Sequence, residues 1–340
     1  MIAIVIVNWN GGKDTVECLE SLMRMEDGGF IAIVVDNGSG DGSMALLEDW
    51  ASSTAFEPAG APWPLLPGQR VRQPMLLRQD PHGEFAPAPA GSTIIVETGK
   101  NLGFAGANNV GMRLARQDSR ITHFWLLNND TVVAPDCLSR LRETAARKPW
   151  AAILGNTLIY YHTPEVVQGV AGVFWPRRAV GDQLGFRRAP TDLPSEAELE
   201  SEMSYALGAS MFLAVGTYDE IGPMAEDYFL YFEELDWAER LGGPGRQSVA
   251  LEAIVYHKEG GSIGTSSVAR PSDTALYYLN TNLLRYMWRW HPLLMPVAIA
   301  RIARRMLGHA RSGDFQGVKV LSIAMLDRVL GRSRQGRITL

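Results

Sequence analysis

The chain has 340 residues, 46% of them apolar and 20% charged, with a formal net charge of −5. That composition excludes a disordered or low-complexity polymer, and the two cysteines, Cys18 and Cys137, exclude a disulfide framework or a Cys-based zinc site. No run approaches the ~18 consecutive apolar residues of a membrane span, and an aliphatic strand follows Met1 directly, so the expectation is a cytoplasmic protein without a cleavable leader.

In chain order, Ile2–Val7 is a continuous aliphatic run closed by Asn8-Trp9-Asn10-Gly11-Gly12, hence a buried strand. Val16, Leu19, Leu22 and Met23 then recur at helical spacing between about 13 and 25. Ile31–Val35 is a second strand, closed by Asp36-Asn37-Gly38-Ser39, and Leu46, Leu47 and Trp50 resume a helix. Residues 51–92 break this rhythm with eight prolines and read as an insertion with a short hairpin around Gln69–Arg78. Thr93–Val96 is a third strand, followed by a helix over about 105–116, and the run His123–Leu127 ends abruptly in Asn128-Asn129-Asp130. A helix follows Pro135. Strands alternating with helices predict an α/β fold with a mostly parallel central sheet covered on both faces.

The second half reads as short strands and turns over 151–188, an acidic loop at Pro190–Glu202 and a central strand at Tyr205–Val215. A short helix at Glu233–Leu241, a strand at Ser248–Tyr256 and a long helix at Asp273–Trp290 follow. Pro292 and Pro296 mark a hinge into two amphipathic helices, Val297–Leu307 and Val318–Leu330. From Arg285 onward eleven Lys and Arg face only Asp314 and Asp327, so a basic helical tail closes an otherwise acidic chain.

Chemistry is concentrated where strands end. Asn8-Trp9-Asn10, Asp36-Asn37 and Asn128-Asn129-Asp130 each follow a strand, and neighbouring parallel strands would set all three on the sheet edge where α/β proteins bind nucleotides. Asn and Asp are also ordinary turn residues, but three coincident clusters favour a crevice. Asp36 suits a pyrimidine ring N–H, with Asn8 and Asn10 beside the base. Oxygen ligands at 128–130 suit Mg²⁺ or Mn²⁺ carrying a diphosphate. Lys100-Asn101-Leu102-Gly103 turns into a helix whose first N–H groups suit an anion, although its spacing is not a dinucleotide fingerprint. The acidic start Glu233-Glu234-Leu235-Asp236 fits either a functional cluster or the favourable first turn of a helix.

Taken together, several strings resemble the family 2 inverting glycosyltransferases. They are Val5-Ile6-Val7-Asn8-Trp9-Asn10, Val35-Asp36-Asn37-Gly38-Ser39-Gly40-Asp41-Gly42-Ser43 and Asn101-Leu102-Gly103-Phe104-Ala105-Gly106-Ala107-Asn108-Asn109. Asn128-Asn129-Asp130 sits where that family has a D-x-D-type metal motif, and Tyr228–Trp237 looks like its E-D-x-D segment. His257 with Gly260, Gly261 and Ser262 is similar to its His-x-x-Gly-x-Ser segment. Among relatives the chain looks closest to bacterial rhamnosyltransferase-like members.

The resemblance implies a GT-A fold, a nucleoside-diphosphate sugar donor and a divalent metal, Mn²⁺ or Mg²⁺. It places Asn8, Asn10, Asp36, Asn37, Lys100, Asn101, Gly103, Asn108, Asn128 and Asn129 at the donor, and Asp130 and His257 at the metal. Glu234 becomes the general base, with Glu233 and Asp236 beside it. Asn128 stands where the motif has Asp, which leaves one anionic ligand in the triplet. The organisation expected is a donor half over 1–150, an acceptor and catalytic half over 151–290, and a basic tail over 291–340. A saccharide or lipid-linked acceptor in bacterial surface polysaccharide synthesis follows, with dTDP-rhamnose or a UDP-sugar as donor. The tail admits contact with an anionic membrane through Arg301, Arg304, Arg305 and Arg328, contact with another subunit, or a solvated face. Nucleic acid is not expected. A nucleotidyltransferase or a non-catalytic scaffold on the same fold are the alternatives.

Overall fold

The computed structural model describes residues 1–52, 75–259, 271–332 and 334. The first unit of the fold comprises β1 (Ile2–Asn8), α1 (Gly12–Met23), β2 (Phe30–Asp36), α2 (Ser43–Ser52), β3 (Met75–Gln79), β4 (Ser92–Glu97), α3 (Gly103–Ala115) and β5 (His123–Asn128). It continues through β6 (Thr131–Val133), α4 (Cys137–Arg147), β7 (Ile153–Tyr160), β8 (Val167–Gly169), β9 (Ala171–Trp175), β10 (Val180–Leu184) and α5 (Glu196–Glu202). The last elements are β11 (Ser210–Ala214), α6 (Val215–Ile221), α7 (Glu233–Arg240), β12 (Gln247–His257), α8 (Asp273–Trp290), α9 (Met295–Arg311) and α10 (Phe315–Val329).

One sheet runs in the order β3-β4-β2-β1-β5-β11-β7-β12-β6, with β8 on the edge of β7. The strands from β3 to β5 are all parallel, as are β7 and β12, while β11 and β6 pair antiparallel with their neighbours. The alternation of strand side chains sorts the core. Ile2, Ile4, Ile6, Phe30, Ala32 and Val34 face α1, α2 and α4 through Leu19, Leu22, Leu47, Trp50, Leu138 and Leu141. Ala3, Val5, Ile31, Ile33 and Val35 face the other side, against Val110, Leu114, Ile221 and Trp237. Both faces are therefore covered, which is why β1 and β2 read as unbroken apolar runs.

Three sequence expectations change. The hairpin expected at 69–78 lies partly outside the described residues; from Met75 to Gln79 the chain is an edge strand parallel to β4. The acidic loop at 190–202 instead contains α5, started by a capping box in which Ser195 accepts from the Glu198 backbone N–H and the Glu198 side chain reaches back to Ser195. The strand expected over 205–215 begins only at Ser210. In the C-terminal region, α8, α9 and α10 share one apolar cluster, which also takes in Tyr228, Phe229, Leu230 and Leu235. The helical extension thus packs on the segment leading into α7.

Candidate active site

Sheet register assembles the polar strand ends. Asn8 lies opposite Asp36, and Val7 opposite Asn128, so the ends of β1, β2 and β5 adjoin. Asn8 itself is fully buried and is used in bracing: its Nδ2 donates to Asp36 Oδ1 at 2.8 Å and to Ser39 Oγ at 3.1 Å, while its Oδ1 accepts from Thr15 Oγ1 at 2.8 Å. Asp36 Oδ2 accepts from the Ser39 backbone. Asn10, at φ 53°, accepts from the Gly40 N–H. Asn37 crosses to the next turn, donating to Asn101 Oδ1 at 3.0 Å and accepting from Leu102 N at 2.8 Å.

A cavity of about 800 Å³ opens over these ends. The side at the strand ends is lined by Val7, Trp9, Asn37, Asn101, Gly103, Asn128, Asn129 and Asp130, with His257 beside Asp130. The rest of the lining comprises Tyr205, Leu207, Phe229, Leu230, Tyr231, Glu233 and Glu234, with Ser272, Thr274 and Leu279 from α8 and the residues before it. Asn8, Asn10, Asp36, Lys100, Asn108 and Asp236 lie outside this lining. Asn108 caps its own helix turn by donating to the Phe104 carbonyl, and Lys100 is exposed on the turn.

Gly103 explains how the two walls meet. It sits at φ +76°, and a Cβ there would overlap the Phe229 carbonyl oxygen and ring. The next N–H, of Phe104, donates to that same carbonyl at 2.8 Å. Only glycine combines this left-handed backbone with so close an approach.

Antiparallel pairing of β12 with β6 sets His257 opposite Thr131, and so beside Asp130. His257 Nε2 lies 3.1 Å from Asp130 Oδ1, and Nδ1 lies 2.8 Å from Gln168 Oε1. A carboxamide oxygen can only accept, so Nδ1 carries a proton and Nε2 is turned toward the carboxylate. Burial opposes the imidazolium, but the Asp130 charge outweighs it and raises the His257 pKa. One carboxylate and one imidazole fit a cation that takes its remaining ligands from phosphate oxygens and water. Among the described residues no group of three or more His, Cys, Asp or Glu converges on such a site. Gln168, a residue with no motif around it, gave no signal in the sequence.

The acidic pair opens α7. Glu233 is 3% exposed, Glu234 is partly exposed, and the Oε2 atoms of both are buried without a hydrogen-bond partner. Burial pushes Glu234 up to about 7; burial and then the Glu234 charge push Glu233 well above the usual carboxylate range. Asp236 behaves differently. It is fully buried away from the cavity and accepts from Arg240 Nε at 3.1 Å, Arg289 Nη1 at 2.9 Å, Trp290 Nε1 at 2.9 Å and Tyr228 OH at 3.2 Å. Asp236, expected beside Glu234 in the acidic cluster, instead ties α7 to α8.

The approach to this pair is strained. Phe229, Tyr231 and Phe232 have φ values of 63°, 65° and 74°. Asn282 of α8 is buried beneath them, and its Nδ2 donates to the carbonyls of Tyr228, Leu230 and Tyr231 at 2.7, 2.7 and 3.2 Å.

The model of the family described as "Glycosyl transferase family 2" matches residues 84–181. The N-acetylglucosaminyl-diphospho-decaprenol L-rhamnosyltransferase of two Mycobacterium tuberculosis strains is 27% identical over 186 residues, 48% of this chain and 58% of the relative. The match thus spans little more than half the length of those curated relatives. The Pyrobaculum calidifontis mannosyltransferase PcManGT, solved with GDP-Man and Mn²⁺, superposes with a TM-score of 0.51 at 11% identity, over 98% of this chain and 88% of that one. The chain has a GT-A fold and, over residues 84–181, is similar to the family 2 glycosyltransferases, the curated relatives among them being L-rhamnosyltransferases.

Proposed function

We propose that the protein is an inverting glycosyltransferase that moves a sugar from a nucleoside-diphosphate donor to a saccharide on a lipid carrier, in the making of a bacterial surface polysaccharide. The observation that carries this is the convergence of Asp130 and His257 with Glu233 and Glu234 on the walls of one cavity, from positions far apart in sequence. The curated relative's L-rhamnosyl specificity favours dTDP-rhamnose, with UDP-sugars next. Asp36 and the Asn37–Asn101 brace support the nucleotide end, and Asn128 and Asn129 lie beneath the diphosphate. Asp130 and His257 would hold a divalent cation, which supplies a Lewis acid for the leaving diphosphate; the imidazole favours Mn²⁺ over Mg²⁺.

Glu234 accepts the proton of the attacking acceptor hydroxyl. A pKa near neutrality matches that task, because the carboxylate is ionised at working pH yet basic enough to take the proton. Burial and the neighbouring Glu234 charge favour the protonated form of Glu233. Tyr205, Phe229 and Tyr231 form the wall against which a sugar ring stacks.

The test is calorimetric titration with dTDP and UDP, with and without Mn²⁺, followed by turnover of dTDP-rhamnose on a lipid-linked saccharide. Saturable nucleotide binding and a product of inverted anomeric configuration are expected. Failure to bind either nucleotide overturns the cavity assignment, and retention of configuration overturns the role of Glu234.

A further inference from the structure

The outer face of α9 has no partner among the described residues. At 3.6 residues per turn, Pro296, Ile299, Ala300, Ala303, Leu307 and Ala310 fall within about 100° of arc. All six are exposed, Ile299 by 43% and Leu307 by 55%, whereas Ala298 and Ile302 on the core side are fully buried. The chain entering the helix adds Leu293, which is 94% exposed. Beside the stripe stand the exposed arginines Arg304 and Arg311, with Arg301 and Arg305 further round.

The helix contains four arginines and neither Asp nor Glu. Arg305 donates to Asn280, but burial and then the Arg304 charge depress the pKa of Arg301, so the helix is short of countercharge. No helix among the described residues is long and apolar enough to cross a membrane.

We propose that α9 lies in the plane of an anionic lipid surface, its Ile299–Leu307 stripe among the acyl chains and its arginines at the headgroups. An exposed apolar stripe edged by cations, with low overall hydrophobicity, is the pattern of an interfacial helix, and each basic group near such a surface adds to the attraction. A second copy of this chain fits worse. Two-fold pairing of the stripe would set two arginine-bearing helices together with no acid on either to pair with them. The proposal does not depend on the donor reading, since the stripe lies outside the cavity.

The experiment is sedimentation of the full chain with vesicles of phosphatidylcholine, with and without phosphatidylglycerol, in the absence of any nucleotide sugar. The protein is expected to pellet with the anionic vesicles and to be released as salt rises. Leu307→Glu and Ile299→Glu, being surface changes, should keep the unfolding temperature and nucleotide binding while weakening vesicle binding roughly tenfold or more. Arg304→Glu with Arg311→Glu should abolish the preference for anionic lipid. Equal pelleting of wild type and Leu307→Glu, or no pelleting at all, overturns the proposal. A dimer in solution that Leu307→Glu dissociates overturns it in favour of a second copy.

Discussion

The sharpest consequence of the Glu233–Glu234 pair is that one substitution, Glu234→Gln, should raise stability and remove activity together. Glu234 is shifted from an ordinary 4.5 to about 7, because burial outweighs a backbone hydrogen bond to its carboxylate and leaves Oε2 without a partner. Between those two values the folded protein holds a proton that the unfolded chain has lost. Stability therefore falls as pH rises through this window, and the full penalty is present above it. A shift of that size corresponds to about 3 kcal/mol, an upper bound because Glu234 is partly exposed and water relieves some of the cost. Glutamine is isosteric and cannot ionise, so the variant escapes the penalty and also spares Glu233 a neighbouring charge. Denaturant unfolding at pH 5 and pH 8 should give a variant more stable by no more than about 1 kcal/mol at the lower pH and by up to about 3 kcal/mol at the higher. Transfer should drop by ~10²–10⁴-fold. In the wild type, kcat/KM should climb toward a plateau as pH passes about 7. A stability difference independent of pH, or a Gln variant with full transfer activity, refutes the reasoning.

Gly103→Ala should both destabilise the protein and weaken nucleotide binding, because the left-handed φ costs roughly 1–2 kcal/mol and the new methyl displaces the Phe229 carbonyl. Calorimetry of dTDP binding beside the unfolding temperature reads both effects. Asp236→Ala removes the counter-ion of Arg240 and Arg289 and should cost about 3 kcal/mol, the low end for a broken buried pair because Arg289 is partly solvated. Its signature is loss of stability and of transfer rate with nucleotide affinity retained, since Asp236 lies outside the cavity lining.

The amino-terminal half of the fold was legible because its physics is local. Continuous aliphatic runs ending in Asn and Asp identify doubly covered parallel strands and their polar carboxyl ends, and the register of β1 with β2 and β5 places those ends side by side. The order of motifs marked the acidic pair and His257. What escaped were features whose partners are remote. Asn8 and Asp36 look like ligand contacts in sequence, yet they spend their hydrogen bonds on each other and on Ser39 and Thr15. Asp236 reads as part of a catalytic cluster until Arg289, 53 residues away, claims it. Gln168 sits in a three-residue strand with no pattern around it. Only α5 could have been found locally, since Ser195 and Glu198 spell a capping box inside a stretch whose acidity suggested a loop.

The role of α8 follows from the strain beside it. Three non-glycine residues within Phe229–Phe232 hold left-handed backbone, each costing roughly 1–2 kcal/mol, and the loop's own sequence offers no glycine to relieve it. Such a conformation persists only where surrounding contacts over-determine it. Those contacts come from two directions. On one side the Phe104 N–H fixes the Phe229 carbonyl, and both residues line the cavity. On the other, Asn282 gathers three carbonyls while Arg289 and Trp290 hold Asp236 one turn below Glu233. A relaxed loop would satisfy its carbonyls in water and let Glu233 and Glu234 follow, and their burial would be lost. The raised pKa of the pair is thus set from outside the α/β sheet. α8 thus helps to keep the Glu233 and Glu234 Oε2 atoms out of solvent, although it lies outside the sheet that carries the rest of the cavity.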